Sequence, residues 1–164
     1  IFAESRTSDD EQIAARVKQM MDEGADMIDI GGYSSRPGAD DVSPQEEMER
    51  LRRGLRIVRK LYPDVPISVD TFRADVARMC IEEEGADLIN DIAAGMMDRQ
   101  MFKTVARLGV PYIMMHMQGT PETMQLDPHY NNLRREVMLY FAERIDRLCQ
   151  MGAKDIISSN LFIV

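Results

Sequence analysis

Glu23-Gly24-Ala25-Asp26 recurs as Glu84-Gly85-Ala86-Asp87, and Gly152-Ala153 is a weaker echo of the same phrase. An amphipathic run precedes each glycine, and a short apolar run follows it. Glycine just past a helical stripe is a C-terminal cap, so each copy marks a corner where a helix hands over to a strand. A chain punctuated in this way alternates helix with strand. That alternation implies a parallel sheet with right-handed crossovers.

The units follow one another along the chain. Ser8-Asp9-Asp10-Glu11 has capping-box spacing, and Ile13, Val17, Met20 and Met21 follow at helical intervals. Residues 25–31 (ADMIDIG) then read as a buried strand. Ser43 caps a second helix, Pro44 suits its first position and Glu46 completes the box. Met48, Leu51, Leu55 and Val58 form its apolar stripe, and the charged run Glu46–Arg53 reads as a solvated face with i,i+4 pairs. Residues 66–71 (PISVDT) are the next strand. Thr71 is placed to cap a helix through Ile81, and residues 87–92 (DLINDI) are a third strand.

A helix over 98–108, a strand over 111–117 and a long helix with Leu133, Val137, Phe141, Ile145 and Leu148 on one face come next. A fifth strand begins at 155–157. Two architectures fit this order: an open doubly wound sheet, or part of a (β/α)8 barrel. A full barrel usually takes about 250 residues. A chain of 164 would therefore be an incomplete one.

Composition excludes several classes. The chain is 45% hydrophobic and 29% charged, enough to build a core. Its net charge of −8 argues against a general nucleic-acid coat, which wants a basic face. No apolar run approaches the roughly 20 residues that span a bilayer. The two cysteines, Cys80 and Cys149, have no metal-ligand spacing and read as reduced thiols of a cytoplasmic protein. Two histidines, His116 and His129, cannot make an all-histidine zinc site.

In both architectures function gathers at the carboxyl ends of the strands. Those ends offer Asp29, then Gly31-Gly32-Tyr33-Ser34-Ser35-Arg36-Pro37-Gly38, then Asp70-Thr71, Asn90-Asp91 and Met115-His116-Met117-Gln118. Asp70 closes a buried apolar strand. It can hydrogen-bond a ligand or stabilise developing positive charge, or it can cap the helix that follows, although Thr71 is available for that. Asn90 and Asp91 are strand neighbours and point to opposite faces. One can line the interior while the other bonds backbone. An asparagine carries donor and acceptor together, which suits the edge of a heterocycle. Asp29 reads equally as a ligand contact or as a structural carboxylate. The loop Ser34–Gly38 carries one cation, Arg36, whose planar fork can grip an anion. It is not a Walker loop, which ends in Gly-Lys-Ser/Thr. His116, flanked by methionines, reads as a core histidine rather than a catalyst.

Asp29-Ile30-Gly31-Gly32 through Ser34-Ser35-Arg36-Pro37-Gly38, then Ser68-Val69-Asp70-Thr71, Ile89-Asn90-Asp91-Ile92 and Met115-His116-Met117-Gln118-Gly119 together resemble the dihydropteroate synthase family. The resemblance implies a (β/α)8 barrel that binds a pterin. It implies condensation of hydroxymethyl-dihydropterin diphosphate with 4-aminobenzoate, with magnesium on the diphosphate and sulfonamides as inhibitors. Asp70 would be the catalytic carboxylate. Asp70 and Asn90 would hydrogen-bond the pterin, Ile92 and Met115 would lie on its ring, and Asp29 would support the site. Ser34, Ser35, Arg36 and Pro37 would meet the aminobenzoate. The family commonly forms homodimers.

Measured against that family, residues 1–164 read as one partial barrel domain, lacking the first strand and the last units. Ser158-Ser159-Asn160 stands where the family has Asp-Pro-Gly, and Tyr33 stands where it often has an acidic residue. A pterin-dependent methyltransferase domain shares the barrel, the Asp and the Asn, but differs at the Ser34–Gly38 loop. A non-catalytic partial barrel is the rival from another class.

Overall fold

The computed structural model describes residues 9–34, 41–119 and 129–159. Ten elements alternate as expected. They are α1 (Asp10–Asp22), β1 (Ile28–Gly31), α2 (Pro44–Leu61), β2 (Ile67–Asp70), α3 (Ala74–Glu82), β3 (Leu88–Asp91), α4 (Met101–Leu108), β4 (Tyr112–Met115), α5 (Leu133–Gln150) and β5 (Ile156–Ser159). All neighbouring strands are parallel, and the order in the sheet is β1-β2-β3-β4-β5. A doubly wound sheet reverses its strand order at a switch point. This sheet never reverses. With right-handed crossovers throughout, every helix falls on one face, and the result is an arc of a (β/α)8 barrel.

Register separates the two faces. Ile28, Ile67, Val69, Ile89, Tyr112 and Met114 face outward and are buried under the helices. Val17 of α1, with Leu51, Leu55 and Val58 of α2, covers β1 and β2. Met101, Phe102 and Val105 of α4, with Val137, Phe141 and Leu148 of α5, cover β3 and β4. The other face presents Asp29, Ser68, Asp70 and Asn90, since Asp29 pairs with Ser68 and Asp70 with both Gly31 and Asn90. The concave face therefore carries these polar groups beside Leu88 and Ile113, where the convex face is apolar except at Asp91.

The glycine corners form as read. Gly24, Gly85 and Gly152 have φ of +94°, +69° and +96°, a left-handed conformation that glycine adopts without a Cβ penalty. Ser43 Oγ accepts the Glu46 N–H at 3.2 Å, with Pro44 behind it. Asp9 caps α1 by accepting the Gln12 N–H at 2.8 Å. Ser8, the expected cap, lies outside the described residues.

Several readings need correction. Thr71 does not cap α3. That helix starts at Ala74, whose N–H goes to Asp98 Oδ2 at 2.8 Å, so the cap comes from the next unit. Asp98 spends its other oxygen on Gln100 N–H, and α4 begins only at Met101. The strands β1 to β4 are shorter than read, because only four residues of each pair, in β1 the last four of the segment, whereas β5 runs on to Ser159. On α5, Leu133 and Ile145 are exposed. The Glu46–Arg53 face carries the expected Glu46–Arg50 pair, but Glu47 within it is completely buried.

Candidate active site

Asp70, Asn90 and Asp29 meet on the concave face near the carboxyl end of the sheet. The pairing of Gly31, Asp70 and Asn90 brings their side-chain positions to one level, with Asp29 a step below. Gly31 leaves space beside Asp70: a Cβ there would lie 3.4 Å from the Asp70 Cβ. Asn90 Nδ2 donates to Asp29 Oδ2 at 3.4 Å. Asn90 is 8% exposed, yet its buried Oδ1 has no partner among the described residues. A buried acceptor without a donor is costly unless something supplies one. Ser68 Oγ is a second unpaired buried atom on the same face.

Asp70 is pushed up to about 7, first by burial and then by the charges of Asp29, Asp91 and Glu47. A carboxyl poised there exists in both protonation forms at neutral pH. A ligand bringing N–H donors or positive charge draws it into the ionised form.

Asp91 takes the opposite role from Asn90, as strand alternation requires. It is fully buried. Its carboxylate accepts Tyr112 O–H at 2.6 Å and the backbone N–H groups of Ala93 and Gly95, each at 2.8 Å. Burial raises its pKa, and these hydrogen bonds oppose the rise. They hold the turn after β3, where Ala94 and Gly95 both have positive φ. Asp91 is thus a scaffold for Asn90 and Ile92.

Ile92 and Met115 lie with Phe72, Ala93 and Met117 in an apolar cluster, with Tyr33 against it. Two members of this apolar cluster, Phe72 and Ile92, lie two residues along the chain from Asp70 and Asn90 respectively. Tyr33 and Phe72 meet edge to face at 5.1 Å. His116 belongs to the core, with its ring 4.6 Å from that of Tyr140 and its pKa lowered by burial and then by Arg144. Ser34 is partly buried at the start of its loop. Ser35, Arg36 and Pro37 lie outside the described residues.

One buried cluster was missed by sequence reasoning: Glu47, Thr71 and Arg73. Its signal was present, since Glu47 sits one helical turn before Leu51 and in line with Leu55 and Val58. A carboxylate in an apolar stripe is a buried carboxylate with partners.

A profile of the pterin binding enzyme family matches residues 1–160. This chain belongs to the pterin binding enzyme family. Among its relatives, the folic acid synthesis protein fol1 of Schizosaccharomyces pombe is 39% identical over 152 residues, which are 92% of the chain and 21% of that protein. The dihydropteroate synthase of Haemophilus influenzae is 42% identical over 139 residues, 85% of the chain and 50% of that protein. The Yersinia pestis dihydropteroate synthase, solved with a sulfonamide drug, superposes with a TM-score of 0.85 at 34% identity, covering 94% of this chain and 56% of that one. The Vibrio fischeri 7,8-dihydropteroate synthase gives 0.77 at 38% identity, covering 92% and 56%. The chain spans half or less of the curated relatives cited and little more than half of these structures. The incomplete barrel read from the sequence agrees with that coverage.

Proposed function

We propose that the protein is a dihydropteroate synthase, condensing hydroxymethyl-dihydropterin diphosphate with 4-aminobenzoate to give dihydropteroate and diphosphate in folate synthesis. The observation that carries this reading is the unpaired buried Asn90 Oδ1 beside the Asp70 carboxyl, both at the edge of an apolar floor. A pterin is a flat ring whose edge carries amino and ring N–H donors. Asn90 Oδ1 and the Asp70 oxygens accept from that edge, Ile92 and Met115 lie on the ring, and Asp29 steadies Asn90. Similarity to the named synthases supports the same reading.

In the reaction the bond from the exocyclic carbon to the diphosphate oxygen breaks, and the electron pair leaves with diphosphate. Positive charge spreads over the pterin, and the Asp70 carboxylate faces it. The aniline nitrogen then bonds the exocyclic carbon and releases one proton. No enzyme nucleophile is required. Ser34, Ser35, Arg36 and Pro37 serve the aminobenzoate, with Arg36 directed to its carboxylate.

Magnesium belongs to this reading as the companion of the diphosphate oxygens, since it favours phosphate and water ligands. Among the described residues no group of three or more His, Cys, Asp or Glu is placed to hold a metal. No helix among the described residues is long and apolar enough to cross a membrane. The reading includes one partial barrel domain over 1–164 and a cytoplasmic homodimer, the family's common assembly.

The test is formation of dihydropteroate from the two substrates by the full-length protein, with release of one diphosphate per product. A methyltransferase would instead bind the pterin and leave aminobenzoate unused.

A further inference from the structure

The charged face of α2 conceals a carboxylate with no access to water. Glu47 is 0% exposed. Its Oε1 accepts Thr71 Oγ1–H at 2.7 Å, and its Oε2 accepts Arg73 Nη1–H at 2.5 Å. The Arg73 guanidinium lies 5.2 Å from the Tyr33 ring centre and 5.1 Å from that of Phe72. Thr71 donates its backbone N–H to Asn90 O at 3.0 Å. The turn that leaves Asp70 is therefore tied to α2, to β3 and to the loop after β1. That loop also closes on Glu47 directly, since a Cβ on Gly32 would sit 2.9 Å from the Glu47 carbonyl oxygen.

An ion pair whose carboxylate is fully buried and whose guanidinium is only partly exposed is weak support for stability, because desolvation offsets its attraction. Apolar side chains at 47 and 71 would hold α2 on β2 equally well. They would not fix the direction of a hydroxyl or the plane of a guanidinium, which hydrogen bonds do. The two residues so fixed are Thr71, next in the chain to Asp70, and Arg73, which stacks on the aromatic pair at the apolar floor. Reacting groups displaced by about 1 Å can lose on the order of a hundredfold in rate.

We propose that Glu47 and Arg73 are positioning residues that, through Thr71 and Phe72, set the Asp70 carboxylate and the apolar floor relative to the ligand. This rests on the assignment of Asp70 to pterin binding. Asp29 from β1 and Asn90 from β3 share the concave face with Asp70, while Asp91 from β3 and Glu47 from α2 act on it by charge from the other side of the sheet.

The experiment compares Thr71→Val, Thr71→Ser and Glu47→Gln in the full-length protein. Calorimetry with hydroxymethyl-dihydropterin diphosphate reads affinity, and carbon-detected NMR of the carboxyl groups reads the Asp70 titration. Thr71→Val, nearly the same shape without the hydroxyl, is expected to weaken binding by ~10-fold. Thr71→Ser restores the hydroxyl and binds within about twofold of the wild type. Glu47→Gln moves the Asp70 midpoint downward, because a like charge is removed. A purely structural role would lower the melting temperature of these variants while affinity stays at the wild-type value in all of them and the Asp70 titration stays there in Thr71→Val, and that result overturns the proposal. If Glu47→Gln does not fold, the Thr71 pair decides. If the wild type binds no pterin, the functional reading falls, and the Asp70 titration in Thr71→Val against Thr71→Ser still decides the positioning: a shift in the first alone supports it, and no difference overturns it.

Discussion

Asn90 Nδ2–H donates to Asp29 Oδ2 at 3.4 Å, and the buried Oδ1 of the same amide has no partner among the described residues. Register puts the Asn90 side chain on the concave face of the sheet, at the position paired with Asp70. A side chain whose donor is engaged inside and whose acceptor is left open fits a ligand that donates.

Asn90→Leu follows from this. It removes a buried unsatisfied acceptor and so leaves stability within about 1 kcal/mol of the wild type, since replacing such a group by an apolar one is close to neutral. Pterin affinity falls by ~10-fold or more, the worth of a lost hydrogen bond to a buried group. Chemical unfolding and calorimetry on the same sample check both halves.

Protonation of Asp70 couples stability and binding to pH in opposite directions. Its carboxyl is raised from its ordinary 3.8 to about 7 by burial, then by Asp29, Asp91 and Glu47. Between these values the folded chain holds a proton that the unfolded chain has lost. Stability is therefore greatest below about pH 4 for this group, falls as pH rises through the window by up to about 1.4 kcal/mol per unit, and levels off above about 7. Asp70→Asn flattens that fall in unfolding measurements across pH.

Binding shows the reverse. Ligand donors prefer the ionised carboxylate, so pterin affinity rises toward about pH 7 and is flat above it. Near neutrality binding releases protons, which titrations in buffers of different ionisation enthalpy detect. A zero proton count in the wild type would show that Asp70 does not change state on binding.

Gly32→Ala places a Cβ 2.9 Å from Glu47 O and 3.1 Å from both the Glu47 and Leu51 Cγ atoms. A backbone oxygen cannot move aside as a side-chain tip can. The change is expected to cost about 1–3 kcal/mol, the range for overpacking. Thermal unfolding checks it, and an unchanged melting temperature would mean that the loop after β1 yields there.

Tyr112→Phe removes the 2.6 Å bond to Asp91 and leaves the carboxylate with its two backbone donors, Ala93 and Gly95. A loss of about 1–3 kcal/mol is expected. Because Asp91 anchors the turn that carries Ile92, pterin affinity should weaken by a few-fold as well.

The frame of the molecule was legible because glycine corners and helical stripes are local signals. Gly24, Gly85 and Gly152 report their own backbone, and Leu51, Leu55 and Val58 their own face. Strand alternation foretold that Asn90 and Asp91 diverge. What escaped was non-local. Nothing adjacent to Asp98 shows that it caps α3, two elements away, in place of Thr71. Glu47 looked solvated among its charged neighbours, and its partners Thr71 and Arg73 are distant in sequence. The choice between sheet architectures likewise waited on strand order, which periodicity does not encode.

Asp70 and Asn90 are the proposed pterin contacts at the concave end of this sheet. Calorimetric titration of the full-length protein and its Asp70→Asn variant with hydroxymethyl-dihydropterin diphosphate and magnesium tests this most directly. The account predicts one site per chain in the wild type and a loss in the variant on the order of 10²-fold, as for removal of a charge-stabilising group. Equal affinities in the two proteins would contradict it.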